Sequence, residues 1–290
     1  MKIAQTVDHY FNEQFGSGVS GVAAVGGGCI NDTYRVTLGD GSDFFVKENR
    51  ISLLDMFEKE ARGLRLLSEA ANGIQIPEVH GILKDEESGQ AWLVLSFIRE
   101  ASKSSIFDDN FGRALAGMHQ NSSSQYGLDH NNYIGRLPQI NDWRDDWVSF
   151  FIDCRIEPQV KMAREKGHFS GQTGNCLERL YKMLPDIMPE APPSLLHGDL
   201  WGGNYLCDDQ DRPVLIDPAV YYGHPEAELA FTRLFGGFGP DFYKSYEEVS
   251  PLSPGFSERV DIYNLYPLLV HVNLFGGSYV SQTEAIIRRF

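Results

Sequence analysis

The segment His197-Gly-Asp-Leu-Trp-Gly-Gly-Asn204, followed by Asp217 at the end of the apolar run Val214-Leu-Ile216, carries the residue types that phosphoryl transfer requires. Transfer from a nucleotide asks little covalent chemistry of a protein: phosphates must be held, their charge neutralised by magnesium, and an acceptor hydroxyl oriented by a base. Asp199 can accept the hydroxyl proton. Asn204, in the spacing D-x-x-x-x-N, can reach a metal from the same loop, and Asp217 at a strand end is placed to bind magnesium bridging the phosphates. Taken singly, an Asp or Asn beside glycine is most often a turn residue, and a carboxylate before Pro218 often only starts a turn. The ordered set, His-Gly-Asp, then Asn, then a strand-borne Asp, favours catalysis. The same letters faintly resemble the metal loops of binuclear phosphoesterases, but those need a His directly after the Gly-Asn pair, and here that position is Tyr205.

The earlier part of the chain offers the remaining parts of an ATP site. Gly26-Gly27-Gly28 between two expected strands can bring backbone N–H groups close to phosphate oxygens, although glycines also make ordinary hairpins. Lys47 ends Phe44-Phe-Val-Lys and can project its ammonium towards the α- and β-phosphates, held by a carboxylate of the following helix. Glu60 is the expected partner, because it falls on the apolar stripe with Phe57 and Leu64, whereas Glu58 points elsewhere on the helix. An acidic residue on a buried face needs a cation.

Those groups must be positioned by two differently patterned halves. Strands are expected at 22–25, 33–38, 43–47, 78–83 and 91–98, with the turn Gly39-Asp-Gly-Ser42. One helix follows Ser52-Leu-Leu-Asp55, read as a capping box, with Leu53, Phe57, Glu60, Leu64 and Leu67 at helical spacing. From Asp108 the pattern is mostly helical, over 108–119, 143–165, 174–183, 226–235 and a C-terminal pair from about Ser257. Short strands interrupt it at 194–196, 205–207 and 213–217, the last two joined by the turn 208–212. The expectation is an α+β protein of two lobes. Residues 1–98 form a small antiparallel sheet with one main helix for ATP, and 99–290 a larger helical lobe carrying the catalytic loop and the acceptor site.

Composition narrows the partners. The 290 residues, 42% of them hydrophobic, can bury a real core, and a formal charge of −15 repels polyanions, so nucleic acid is not expected. No segment is long and apolar enough to span a bilayer, and no leader is recognisable at residues 1–15. Cys29, Cys154, Cys176 and Cys207 are widely spaced with no C-x-x-C pair, which fits a reducing cytoplasm. Cys29, after three glycines, is either a small residue tolerated in a turn or a redox-sensitive thiol.

With these residues in hand, the chain resembles the fructosamine kinase (ketosamine kinase) family, a branch of the aminoglycoside phosphotransferase-like kinases with a protein-kinase-like fold. The resemblance is carried by Gly-Gly-Gly-Cys-Ile-Asn-Asp at 26–32, Phe-Glu-Lys-Glu-Ala at 57–61, Asn-Tyr-Ile-Gly at 132–135, His197–Asn204, Ile216–His224, Phe235–Phe238 and Asn273–Tyr279. It implies ATP- and magnesium-dependent phosphorylation of the 3-hydroxyl of a ketoamine sugar, free or on a protein lysine, after which the adduct falls apart and the amine is regenerated. Carried over, Asp199 is the base, Asn204 and Asp217 the magnesium ligands, and Lys47 with Glu60 the phosphate anchor. Adenine is gripped by backbone groups of the segment linking the lobes, here Leu95 to Phe97, where Ser96 replaces a frequent acidic residue. Trp201 is either a sugar-stacking face or a core tryptophan beneath the loop, and His224 and Glu228 brace the loop. The segment 132–167 and the C-terminal helices form the acceptor wall. Alternatives are a related kinase of an aminoglycoside, choline or homoserine-like acceptor, and a silent kinase fold serving as a binding module; the second predicts loss of a catalytic group, and all are present. Oligomeric state, base preference and the choice of fructosyl or ribulosyl sugar are not legible.

Overall fold

The computed structural model describes residues 3–26, 30–169 and 171–290. Strands β1 (Val19–Ala24), β2 (Asp32–Leu38), β3 (Asp43–Arg50), β4 (Val79–Asp85) and β5 (Gln90–Ser96) form one antiparallel sheet in the order β1-β2-β3-β5-β4. Because side chains alternate across a strand, each residue is assigned a face. Val36, Phe44, Val46, Trp92 and Val94 pack with Val7 and Phe11 of helix α1 (Gln5–Phe15) in a small core of their own. Ala91, Leu93 and Leu95 point the other way, into the main core with Phe57, Ala61, Leu64 and Leu67 of helix α2 (Leu54–Ala70). Lys47 shares that second face, one residue out of phase with Val46, so its stem is directed at α2.

Helix α1 was not expected from the sequence, which predicted one helix in this half. Its buried positions are only Val7 and Phe11, too few to show a stripe. The capping box at Ser52 is also corrected: Ile51–Leu53 is a 3-10 turn, Leu53 is the N-cap, and no side chain caps the helix. Asp55 instead accepts a hydrogen bond from Tyr133 Oη at 2.8 Å.

The remaining elements are α3 (Phe107–Met118), the hairpin β6 (Asn132–Ile134) and β7 (Leu137–Gln139), and α4 (Trp147–Phe150), which runs through a π-helical segment at Phe151–Ile156 into α5 (Glu157–Glu165). Then follow α6 (Gly171–Ile187), β8 (Ser194–Leu196), β9 (Tyr205–Cys207), β10 (Pro213–Leu215) and β11 (Tyr221–Gly223), and α7 (Pro225–Leu234), α8 (Pro240–Val249), α9 (Phe256–Tyr263), α10 (Leu265–Phe275) and α11 (Ser278–Ile287). The helix expected from 143 begins only at Trp147, where Asp146 caps it by accepting from Ser149 N. The expected C-terminal pair is three helices, and α8 was missed. Helix α8 lies against α3 so closely that a Cβ on Gly112 would stand 2.1 Å from Phe242 O, which is why glycine occupies that position.

Short pairs frame the loop region: β9 pairs with β10, and β8 with β11. The strand expected to run to Asp217 stops at Leu215, since Asp217 adopts φ +55, a left-handed conformation that leaves the ladder. Ala101 N donates to Cys207 O, tying the chain that leaves β5 to β9.

Candidate active site

Strand β3 and helix α2 bring the first two groups together. Lys47 Nζ lies 2.6 Å from Glu60 Oε1, and it also bonds Asp217 Oδ1, so one ammonium joins the sheet, the helix and the segment after β10. Burial alone would lower the lysine, but Asp217 and Glu60 outweigh it and hold it above its ordinary value. Burial would likewise raise Asp217; the adjacent Lys47 reverses that and leaves the carboxyl below the usual range. Glu58, on the opposite side of the helix, is exposed as expected.

The loop after β8 carries Asp199. Asn204 Nδ2 donates to Asp199 O at 2.8 Å and to Asp199 Oδ2 at 3.0 Å, which fixes the amide and leaves Asn204 Oδ1 as its acceptor. Ile216 N donates to Asn204 O, so the asparagine is registered against the residue preceding Asp217. Burial pushes the Asp199 carboxyl well above its ordinary value; the Asn204 bond opposes this, while the charges of Asp217 and Glu228 add to it.

His197 is buried and its pKa lowered by that burial. The neutral ring satisfies both of its nitrogens: Nε2–H donates to Ile216 O at 2.8 Å, and Nδ1 accepts from Asp199 N at 3.3 Å. The histidine thus pins the Asp199 loop to the segment that carries Asp217 after β10. From behind, buried Glu228 of α7 accepts from His197 N at 3.1 Å and Gly198 N at 2.7 Å, and bonds His119 Nε2 at 3.0 Å, while His119 Nδ1 meets Tyr246 Oη. Gly198 is required at its position: φ is +83, and a Cβ would sit 2.0 Å from Ala219 O.

The donor set suits magnesium. Among the described residues no group of three His, Cys, Asp or Glu forms a self-sufficient metal cage. Magnesium is normally held by one or two protein oxygens together with phosphates and water. Asp217, with a side chain 49% exposed, and Asn204 Oδ1 offer that number.

The comparisons agree across the chain. A family model described as fructosamine kinase matches residues 3–290. A probable ketoamine kinase of Vibrio parahaemolyticus is 39% identical over 269 residues, 91% of this chain and 90% of that protein. A chloroplastic protein-ribulosamine 3-kinase of Oryza sativa subsp. japonica is 39% identical over 276 residues, 93% of this chain and 78% of the relative. The chain belongs to the fructosamine kinase family. It is an ATP-dependent phosphotransferase. A crystal structure from Thermobifida fusca, provisionally named a fructosamine-3-kinase, superposes with a TM-score of 0.87 at 33% identity, covering 99% of this chain and 98% of that one. A spectinomycin phosphotransferase shares the fold, with a TM-score of 0.60 at 14% identity over 99% and 94% of the two chains.

The other expected site residues of this family member fall as follows. Gly26 is exposed, with open space where a Cβ would be, while Gly27, Gly28 and Cys29 lie outside the described residues. Leu95 is buried in the ladder between β3 and β4; β5 ends at Ser96, so Phe97 is the first residue beyond it, with the Arg35 guanidinium over its ring at 4.9 Å. Trp201 is not a core residue: it is 38% exposed, beside Phe235 and above Gly203. His224 caps α7 through Nδ1, which accepts from Glu226 N. Cys154, Cys176 and Cys207 are free and buried. Among the described residues no helix is long and apolar enough to cross a membrane.

Sequence reasoning missed a buried polar brace beneath the segment after Asp217. Asn132 Nδ2 donates to Val220 O, Gln139 Nε2 to Ala219 O and Asn132 Oδ1, and Tyr266 Oη to Gln139 Oε1. Arg155 in the π segment donates to Asn141 Oδ1 and lies 3.8 Å from the Tyr221 ring centroid. The Asn-Tyr-Ile-Gly motif at 132–135, read as part of the acceptor wall, thus places its asparagine under the loop. Polar residues in a β-hairpin pattern look solvated, and only their burial reveals the role.

Proposed function

We propose that this protein phosphorylates the sugar 3-hydroxyl of ketoamines, fructosyl or ribulosyl adducts of amines, using ATP and magnesium, and thereby starts release of the parent amine. The observation that carries this reading is the joined pair of clusters, Lys47 between Glu60 and Asp217, and Asp199 bonded to Asn204, with His197 connecting the two backbones. The names of the relatives, ketoamine kinase and protein-ribulosamine 3-kinase, support the acceptor class.

In this reading Asp199 takes the proton of the acceptor hydroxyl as the hydroxyl oxygen attacks the γ-phosphorus, and the bond from that phosphorus to the β,γ-bridging oxygen breaks to release ADP. A carboxylate that resists ionisation is the stronger base once ionised. Lys47, kept cationic and fixed by Glu60, holds the α- and β-phosphates, and main-chain groups near Phe97 hold adenine. Asn204 and Asp217 are the magnesium ligands; the metal, when bound, neutralises phosphate charge. Trp201, exposed two residues from Asp199, offers its face to the sugar ring.

The test is an ATP-consumption screen over fructosyl-lysine, ribulosyl-lysine, choline and an aminoglycoside, with phosphorus NMR locating the phosphate. Turnover of a ketoamine with phosphate on the 3-oxygen is expected. Turnover of choline or the aminoglycoside alone overturns the acceptor assignment.

A further inference from the structure

An aromatic strip leads away from the catalytic loop, and neither the phosphate nor the sugar chemistry accounts for it. Gly202 and Gly237 permit close contact of two loops, since a Cβ on Gly237 would be 2.7 Å from Gly202 Cα. That contact sets the Phe235 ring 6.1 Å from Trp201. Beyond it lie His271, 4.7 Å from Phe235, then Phe275 and Tyr279 at 5.5 and 4.9 Å from His271. Phe275 and Tyr279 are brought together by Gly276 and Gly277, whose φ values of +63 and +59 turn α10 into α11. Core aromatics would be covered, yet Trp201 and Phe235 are each 38% exposed and Phe275 62%. Three exposed rings, Trp201, Phe235 and Phe275, bridged by the half-buried His271 and Tyr279, mark a recognition surface.

Its chemistry favours an alkylammonium. Ring faces attract cations. His271 and Phe275 lie in the last turns of α10, where the helix dipole is negative, and the chain as a whole carries −15. Lys166 Nζ donates to Asn273 O at 2.5 Å and partly offsets that dipole, so the attraction rests mainly on the ring faces. His271 Nδ1–H donates to Pro267 O at 2.7 Å, and burial lowers its pKa, so the ring is neutral and presents Nε2 as an acceptor. A ketoamine with its sugar hydroxyl at Asp199 carries its secondary ammonium a few bonds from that hydroxyl, and Trp201 is two residues along the chain from Asp199.

We propose that Phe235, His271, Phe275 and Tyr279 form the subsite for the amine carrier of the acceptor, seating the four-methylene stem and ammonium of a glycated lysine. This rests on the ketoamine reading. The strip is open at Phe275, so the lysine backbone emerges into solvent and a lysine borne on a polypeptide is accommodated.

The test compares kcat/KM for the ribulosyl adduct of Nα-acetyl-lysine-N-methylamide with that of ribulosyl-methylamine, which has the ammonium but no stem. In Phe275→Ala the lysine-to-methylamine ratio falls about five- to tenfold, and in Ile106→Ala, an exposed apolar residue outside this cluster, the ratio is that of the parent. Saturation-transfer NMR with Nα-acetyl-lysine-N-methylamide and ADP reads the subsite without turnover: the stem methylenes receive signal from the parent protein and lose it in Phe275→Ala. If neither ketoamine is phosphorylated, the ketoamine reading fails, and signal transfer still decides whether the strip binds a lysyl stem. An unchanged ratio overturns the proposal, as does absent or unaltered transfer. A change in sedimentation from dimer to monomer with the ratio unchanged also overturns it, marking the strip as a contact between copies.

Discussion

Replacing Glu228 with glutamine isolates how much the catalytic loop depends on a carboxylate that never touches the reacting atoms. The side chain is 3% exposed and accepts from His197 N, Gly198 N and His119. Glutamine can keep its Oε1 on Gly198 N, and its NH2 can donate to His119 Nε2 if that ring moves its proton to Nδ1, facing Tyr246 Oη. The N–H of His197 then has no acceptor. One orphaned buried donor costs about 1–3 kcal/mol, and loss of charge assistance adds to it, so about 2–4 kcal/mol of stability is forfeited. Chemical denaturation followed by tryptophan fluorescence measures this. Because Asp199 follows these residues directly, kcat falls about ten- to a hundredfold. KM for ATP changes less than threefold, since Lys47 and Glu60 belong to other elements. The pH dependence supplies a second reading. Burial raises the Glu228 carboxyl, but the His119 and Gly198 hydrogen bonds, with the neighbouring histidines, leave it lowered. Its contribution is therefore full above the ordinary glutamate pKa of about 4.3 and is lost as pH falls through the lower folded value. The gap between parent and variant narrows over that window. A variant within about 0.5 kcal/mol of the parent and with kcat within twofold refutes the brace.

Asp199→Asn lowers kcat by about 10² to 10⁴ under saturating substrates. Since burial raises the Asp199 pKa, the parent is most favoured below the unfolded value of about 3.9 and loses stability as pH rises towards the folded one. Denaturation series across that range should show the apo variant gaining stability over the parent. Lys47→Met leaves Glu60, with a side chain 15% exposed, without its cation; a loss of about 3 kcal/mol in the melt and a more than tenfold rise in KM for ATP are expected. Gly198→Ala must displace Ala219 O or leave φ +83, and circular dichroism melts together with kcat should both fall sharply. Chelation of divalent metal abolishes turnover, and added magnesium restores it.

The residues proposed to handle phosphate could be singled out because each stands out in its local context. Lys47 closes the apolar run Phe44-Phe-Val within β3, Glu60 interrupts an apolar helical stripe, and Asp199, Asn204 and Asp217 keep a fixed order. An acid on a buried face demands a cation, and Lys47 is found there at 2.6 Å. Less was legible where the signal is spread thin. Helix α1 buries only Val7 and Phe11, and α8 is recognised by a glycine, Gly112, on another helix. The Ser52 capping box failed because a 3-10 turn delays the helix by one residue, taking the hydroxyl out of register with the free N–H groups.

Sequence alone determined the phosphotransferase class, the antiparallel character of the first half and the helical character of the second, since these rest on residue type and on periods of 2 and 3.6. Tertiary structure decided which groups support that chemistry. Glu228 was expected to brace the loop from the family resemblance, whereas its partner His119 and the separate brace of Asn132, Gln139 and Tyr266 come from different elements and meet only in the folded chain. Their roles follow from burial, which makes every backbone N–H and C=O of the loop require a partner, and no local pattern carries that information. The same holds for the aromatic strip: the sequence left Trp201 open between a sugar-stacking face and a core tryptophan, and the fold leaves Trp201, Phe235 and Phe275 facing water.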